Sequence, residues 1–143
     1  MGMVITEITL KNARDEGNAH DGLIKTEAVR SVTVTAVADT GAMYPVINED
    51  LCQKLGLAYG EERIVHIADG QSIRCKTTEA VDVYWKDRNF PCPAVVIPGS
   101  KYVLLGAIAL EGMDLIVNPV TQEVVGAHGD EAVIPLLSYT IEH

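Results

Sequence analysis

One short stretch holds residue types able to do chemistry, Asp39-Thr40-Gly41, directly after the apolar, β-branched run Val32-Thr33-Val34-Thr35-Ala36-Val37-Ala38. A carboxylate placed there is expected in an apolar setting, where burial penalises the charged form. Thr40 adds a hydroxyl that can bond backbone. Gly41 removes the side chain that would hold a second backbone or a substrate away. Asp, Thr and Gly are also ordinary residues where a strand turns off a sheet. A chain of this length contains such a tripeptide by chance roughly three times in a hundred. The tripeptide alone therefore does not separate an active-site turn from a plain one.

The other reactive residue types form no comparable constellation. His20, His66, His128 and His143 are scattered, with no i, i+4 pair and no cysteine at ligand spacing, so hydrogen-bonded or solvated histidine is expected and no metal site. Cys52 falls in the expected helix and Cys75 and Cys92 in strand-like runs, and all three read as small packing residues. Glu61-Glu62-Arg63 reads as a solvated face. Ser100 lacks the Gly-x-Ser-x-Gly elbow of serine hydrolases. Asp15, Glu16 and Asp21 miss the spacing of a calcium loop.

The elements around Asp39 follow mostly from a period of two in apolar residues, which marks half-buried strands. Strands are expected at 4–10, 32–38, 64–67, 72–75 continuing through 81–85, 94–97, 102–105, 115–117 and 123–125. The polar stretch from Lys11 to Gly22 reads as a loop. A helix is expected over 49–55: Asn48 caps it, Glu49 and Asp50 oppose the positive helix end, Lys54 sits in the last turn and Gly56 closes it. Asp69-Gly70 between two strand runs signals a hairpin. Lys86 to Asn89 form another turn, and Pro91 and Pro93 mark the next segment as irregular or at a sheet edge. Ala107 to Glu111 suit one or two helical turns, and Asn118 to Gln122 close a last hairpin. Past Gly126 to Asp130 comes an apolar tail, Val133 to Ile141.

Composition sets the frame. The chain has 143 residues, 48% apolar, with 11 basic and 20 acidic side chains for a net charge of −9, which suits one domain over 1–143. Nucleic acid is not an expected partner, since phosphate binding needs clustered Lys and Arg. The start Met1-Gly2-Met3-Val4-Ile5 lacks the features of a secretory leader, and no apolar run is long enough to span a membrane. With an odd number of cysteines and no C-x-x-C pair, a cytoplasmic, reducing location is expected.

From about Val29 to Val125 the chain resembles the retropepsin-like aspartic proteases, the single-lobe, retroviral-type family, in its bacterial form. Val37-Ala38-Asp39-Thr40-Gly41-Ala42 resembles the family's active-site signature. Asn48 to Leu57 is similar to the short helix ending in Leu-Gly-Leu that follows it. Ile67-Ala68-Asp69-Gly70 resembles the flap hairpin that folds over substrate. Leu104-Leu105-Gly106, and then Leu110 to Pro119, is similar to the second hallmark, two apolar residues and Gly entering a short helix and a strand.

The resemblance implies an all-β acid-protease half-barrel with one or two short helices, working as a homodimer without a cofactor. Amide hydrolysis by water needs a base and an acid side by side. Two adjacent carboxyl groups sharing one proton supply both, and aspartic proteases are the standard case. One Asp-Thr-Gly per chain implies that the second Asp39 comes from a twofold partner. The implied catalytic residues are Asp39, Thr40, which braces the two loops, and Gly41, which permits close approach. The implied substrate-binding residues are Ala42 on the floor, Ala68, Asp69 and Gly70 at the flap tip, and Gly106 in the supporting loop. A peptide or protein would lie between floor and flap in extended form.

Two departures are visible. Met43-Tyr44 stand where retroviral members carry acidic residues and bacterial ones more often Ser or Thr, and the flap tip is polar with one Gly. These motivate the alternative of a catalytically silent dimeric peptide-binding or assembly module. The segment 126–143 has no counterpart in the family, and Ile141-Glu142-His143 read as candidate vector residues.

Overall fold

The structure, a computed structural model, describes residues 3–142. Met1, Gly2 and His143, read above for a leader, a histidine ligand and a vector remnant, lie outside the described residues. The chain is mostly β. Its strands are β1 (Ile5–Asn12), β2 (Ser31–Val37), β3 (Val46–Ile47), β4 (Tyr59–His66), β5 (Ser72–Thr78), β6 (Val81–Trp85), β7 (Arg88–Cys92), β8 (Val95–Val96), β9 (Val103–Leu104), β10 (Leu115–Asn118) and β11 (Glu123–Gly126). The helices are α1 (Ala13–His20), α2 (Glu49–Lys54) and α3 (Ala107–Gly112), with a 3₁₀ turn at Thr26–Ala28. Nine strands form one sheet in the order β4-β5-β8-β3-β9-β2-β1-β6-β7, curled into half a barrel, and β10 and β11 make a separate hairpin.

Alternation explains what the sheet buries. Ile8, Leu10 and Asn12 of β1 and Val81, Val83 and Trp85 of β6 point inward, while Thr9 and Thr33 of the neighbouring β1 and β2 join hydroxyls on the outer face at 2.8 Å. The main core gathers these side chains with Ile47, Leu51, Leu55, Leu105, Leu110 and Met113 from α2, α3 and the strands beside them. The segment with Pro91, read as irregular or at an edge, is the edge strand β7, which also takes up Arg88 and Asn89 from the expected turn. The α2 helix starts where expected: Asn48 accepts the Leu51 N–H at 2.9 Å.

Two expectations are corrected. Lys11 to Gly22 is not a loop: β1 runs to Asn12 and α1 follows at once. Asn12 is buried, its amide donates to the Leu55 carbonyl at 2.9 Å, and its Oδ1 accepts the Asp15 N–H at 2.9 Å, capping the helix. Asp15 in turn accepts from Arg30 through Nε at 2.8 Å, Nη2 at 3.0 Å and the backbone N–H at 3.0 Å. Polar anchors hold this helix, so its polar composition resembled a loop. The second correction is that β5 does not continue into β6. The chain breaks at Glu79-Ala80, where Glu79 takes the Ala58 N–H and pairs with Arg14 at 3.0 Å, and β6 then crosses to β1.

Candidate active site

β2 delivers Asp39 to the end of the sheet. Its last residues are flanked on one side by β1, with Val37 opposite Ile5, and on the other by parallel β9, with Val37 opposite Leu104. The strand then leaves the ladder through two fixed points, Ala38 N–H to the Val4 carbonyl at 2.9 Å and Leu105 N–H to the Val37 carbonyl at 2.8 Å. Asp39 accepts the Gly41 N–H on Oδ1 at 2.8 Å, and the Ala42 N–H reaches the Asp39 carbonyl at 3.3 Å. The carboxylate is thus set by its own turn.

The far side of the loop is pinned by α3. The Ala107 N–H donates to the Ala42 carbonyl at 2.7 Å and the Ile108 N–H to the Met43 carbonyl at 3.0 Å. These amides at a helix start have no partner inside the helix, and the loop satisfies them. Gly106 makes the approach possible. It is buried with φ +65°, and a Cβ there would lie 2.6 Å from the Tyr44 carbonyl carbon. Gly41 is also tight, since a Cβ on it would meet Asp39 Oδ1 at 3.1 Å.

Asp39, Thr40, Gly41, Ala42 and Gly106 are therefore brought together in one braced loop. The expected apolar enclosure of Asp39 is not found within one chain. Asp39 is half-buried, and Thr40, Gly41 and Met43 are exposed, because β2 turns Ser31, Thr33 and Thr35 to water and fully buries only Ala36.

Ala68, Asp69 and Gly70 lie at the tip of the β4–β5 hairpin, all exposed. The tip is a tight turn: Gly70 N–H to the Ile67 carbonyl at 3.0 Å, Ile67 N–H to the Gln71 carbonyl at 3.0 Å, and Gln71 N–H to Asp69 Oδ1 at 2.9 Å. Gly70 takes φ +85°. In the half nearer its tip, where Val65 is opposite Ile73, the hairpin joins the loop through a small apolar cluster in which Val46, Cys75 and Val95 are buried and Tyr44, Val65, Ile73, Ile97 and Leu104 pack around them. Sequence reading treated Tyr44 only as a departure from pattern. Its role in tying the Asp39 loop to the hairpin was not visible, although the alternation of Val65, Ile73 and Cys75 marks the inward face that receives it.

The described histidines, His20, His66 and His128, make side-chain hydrogen bonds, and the cysteines are packed in the interior. His66 Nδ1 meets Ser72 Oγ at 2.8 Å, and His128 Nδ1 meets Asp114 Oδ2 at 2.8 Å. All three cysteines are buried and free, and burial pushes the Cys92 thiol up to about 11. Among the described residues no three His, Cys, Asp or Glu side chains are grouped to hold a metal ion. No helix among them is long and apolar enough to cross a membrane.

A family model described as gag-polyprotein putative aspartyl protease matches residues 26–112. The matched segment runs from the 3₁₀ turn before β2 to the end of α3, so it contains the Asp39 loop, the β4–β5 hairpin and Gly106. The β10–β11 hairpin and everything beyond lie outside it. No curated protein matches the chain at a significant level.

Proposed function

This chain belongs to the retropepsin-like aspartyl protease family, and on that premise we propose that it is an endopeptidase whose active site is completed by a second copy. The observation that supports this reading most is the braced Asp39-Thr40-Gly41 loop, held on one side by β1 and β9 and on the other by the start of α3. One half-buried carboxylate per chain supplies either an acid or a base. Two such loops meeting on a twofold axis put Asp39 beside Asp39 of the other copy, where repulsion between the charges keeps one proton on the pair. The ionised member takes a proton from water as it attacks the scissile carbonyl, and the protonated member stabilises the developing oxyanion and then supplies a proton to the departing nitrogen.

In this reading Thr40 braces loop against loop, Gly41 and Gly106 permit the close packing, and Ala42 forms the floor. Ala68, Asp69 and Gly70 close over an extended peptide held by strand-like hydrogen bonds. The alternative is a dimer of the same fold that binds peptide without cleaving it, favoured by exposed Met43 and by the polar hairpin tip.

Comparison of the chain with Asp39→Asn on an unstructured protein substrate, from acidic to neutral pH, separates the two. Loss of general acid and base catalysis is expected to lower the rate by about 10²–10⁴-fold, with the dimer intact, and wild-type specific activity is expected to fall on dilution. Equal cleavage by both proteins removes the peptidase reading. Peptide binding without cleavage by the wild type selects the silent module.

A further inference from the structure

We propose that Asp69, at the tip of the β4–β5 hairpin, selects peptides that carry Lys or Arg, so that the site takes basic, extended segments. The inference rests on the reading above, in which the tip closes over an extended peptide, and it names the class of peptide taken.

The carboxylate of Asp69 is held in place yet only half used. Its Oδ1 accepts the Gln71 N–H at 2.9 Å, which fixes the side chain against its own turn. That is its one side-chain hydrogen bond among the described residues, and no Lys, Arg or His there pairs with it. Backbone bonds from Gly70 to Ile67 and from Ile67 to Gln71 close the turn without drawing on the second oxygen. The residue is exposed, so that oxygen is left for a donor from outside.

The positive charges of the hairpin lie away from the tip. Nearest to it are the cross-strand pairs His66 with Ser72, joined Nδ1 to Oγ at 2.8 Å, and Val65 with Ile73. Arg74 and Arg63 follow only in the next two pairs. Arg74 is met by Glu62 at 3.6 Å, and Lys76 Nζ lies over the Tyr59 ring at 4.5 Å.

The loop that faces the tip in this reading, 39–44, has no Lys or Arg either, and it adds the Asp39 carboxylate. A cationic side chain entering between loop and tip meets no competing cation from these two segments. The net charge of −9 acts in the same direction at long range, drawing basic peptides in and repelling acidic ones. Asp69 adds what that field lacks, a fixed carboxylate oxygen for one ammonium or guanidinium group.

The test compares the full chain with Asp69→Asn on unstructured peptides that carry Lys or Arg, Gln, or Glu at matched positions. Cleavage sites are read by mass spectrometry and binding by fluorescence anisotropy. Asn keeps the acceptor for the Gln71 N–H and removes only the charge. The wild type is expected to cleave sites flanked by Lys or Arg about fivefold faster than the Gln-matched sites, the upper end for an exposed ion pair. That ratio should fall to about twofold or less in Asp69→Asn and shrink with added salt in the wild type. A wild type without preference for Lys or Arg overturns the inference and leaves the peptidase reading standing. A preference that Asp69→Asn keeps in full overturns it in favour of the net charge alone. A preference for Glu overturns it in favour of Lys101, in the segment before β9. Binding of the basic peptides that weakens about fivefold in Asp69→Asn, with nothing cleaved, removes the peptidase reading and supports the inference. A wild type that neither cleaves nor binds overturns both.

Discussion

Gly106 lies against the backbone of Tyr44 so closely that a Cβ on Gly106 would stand 2.6 Å from the Tyr44 carbonyl carbon and 2.7 Å from its oxygen. This approach lets the first amides of α3 reach the carbonyls of Ala42 and Met43. The helix start and the Asp39 loop therefore form one unit, and a change at Gly106 acts on the loop without touching Asp39.

Gly106→Ala is expected to destabilise the fold by about 2–4 kcal/mol, combining the left-handed backbone at φ +65° with a clash against backbone that cannot yield. Gly70→Ala is the control. It shares a positive φ but has open space around it, so a loss of about 1 kcal/mol is expected. Urea unfolding midpoints of the two variants check the difference.

Tyr44→Ala should loosen the half of the hairpin nearer its tip. The ring packs with Val65, Ile73, Ile97 and Leu104 around buried Val46, Cys75 and Val95. Because the side chain is only partly buried, the expected cost is about 2 kcal/mol, below that of a full aromatic truncation. Amide exchange should speed up in β4 and β5 while β1 and β6 stay protected; uniform exchange across the sheet would contradict the placement.

Asp15 ties α1 to the strand entry through Arg30, whose hydrogen bonds hold the Asp15 carboxyl below the ordinary carboxylate range. A depressed folded value means that the stabilisation is complete above the unfolded pKa and is lost as pH falls through the folded one. Asp15→Asn is expected to cost about 1.5–3 kcal/mol at pH 7. The gap to wild type should close in strong acid, as measured by unfolding midpoints from pH 7 down to about pH 2.

Glu16 runs the other way. Burial raises its pKa, the Tyr84 hydroxyl donates to Oε2, and Oε1 is buried without a partner. A carboxyl raised on folding destabilises above its folded pKa, and that penalty is relieved as pH falls toward the unfolded value. Glu16→Gln keeps an acceptor for Tyr84 and removes the charge. It is expected to stabilise the protein by about 1 kcal/mol at pH 7, with the advantage fading in acid, in a thermal melt series over pH.

Local chemistry determined much of this molecule from the sequence. The alternation in β1, β2 and β6, the Asn48 cap, the Asp69-Gly70 turn and the edge position of Pro91 each depend on neighbours within a few residues, so a linear reading could find them. The Asp39-Thr40-Gly41 turn and the Gly106 hallmark were legible only through the resemblance to the retropepsin-like family, since the tripeptide alone does not separate an active-site turn from a plain one. Tertiary structure alone decided the rest, because its partners are far apart in the chain. Asn12 caps a polar helix only because Leu55 and Gly56 stand over it, and Asp15 can be buried only because Arg30 arrives to satisfy it. Tyr44 joins loop to hairpin only once β4, β5 and β8 are assembled. The exposure of Asp39 was likewise set by which face β2 turns to water, and that face was chosen by the register of β1 and β9 against it.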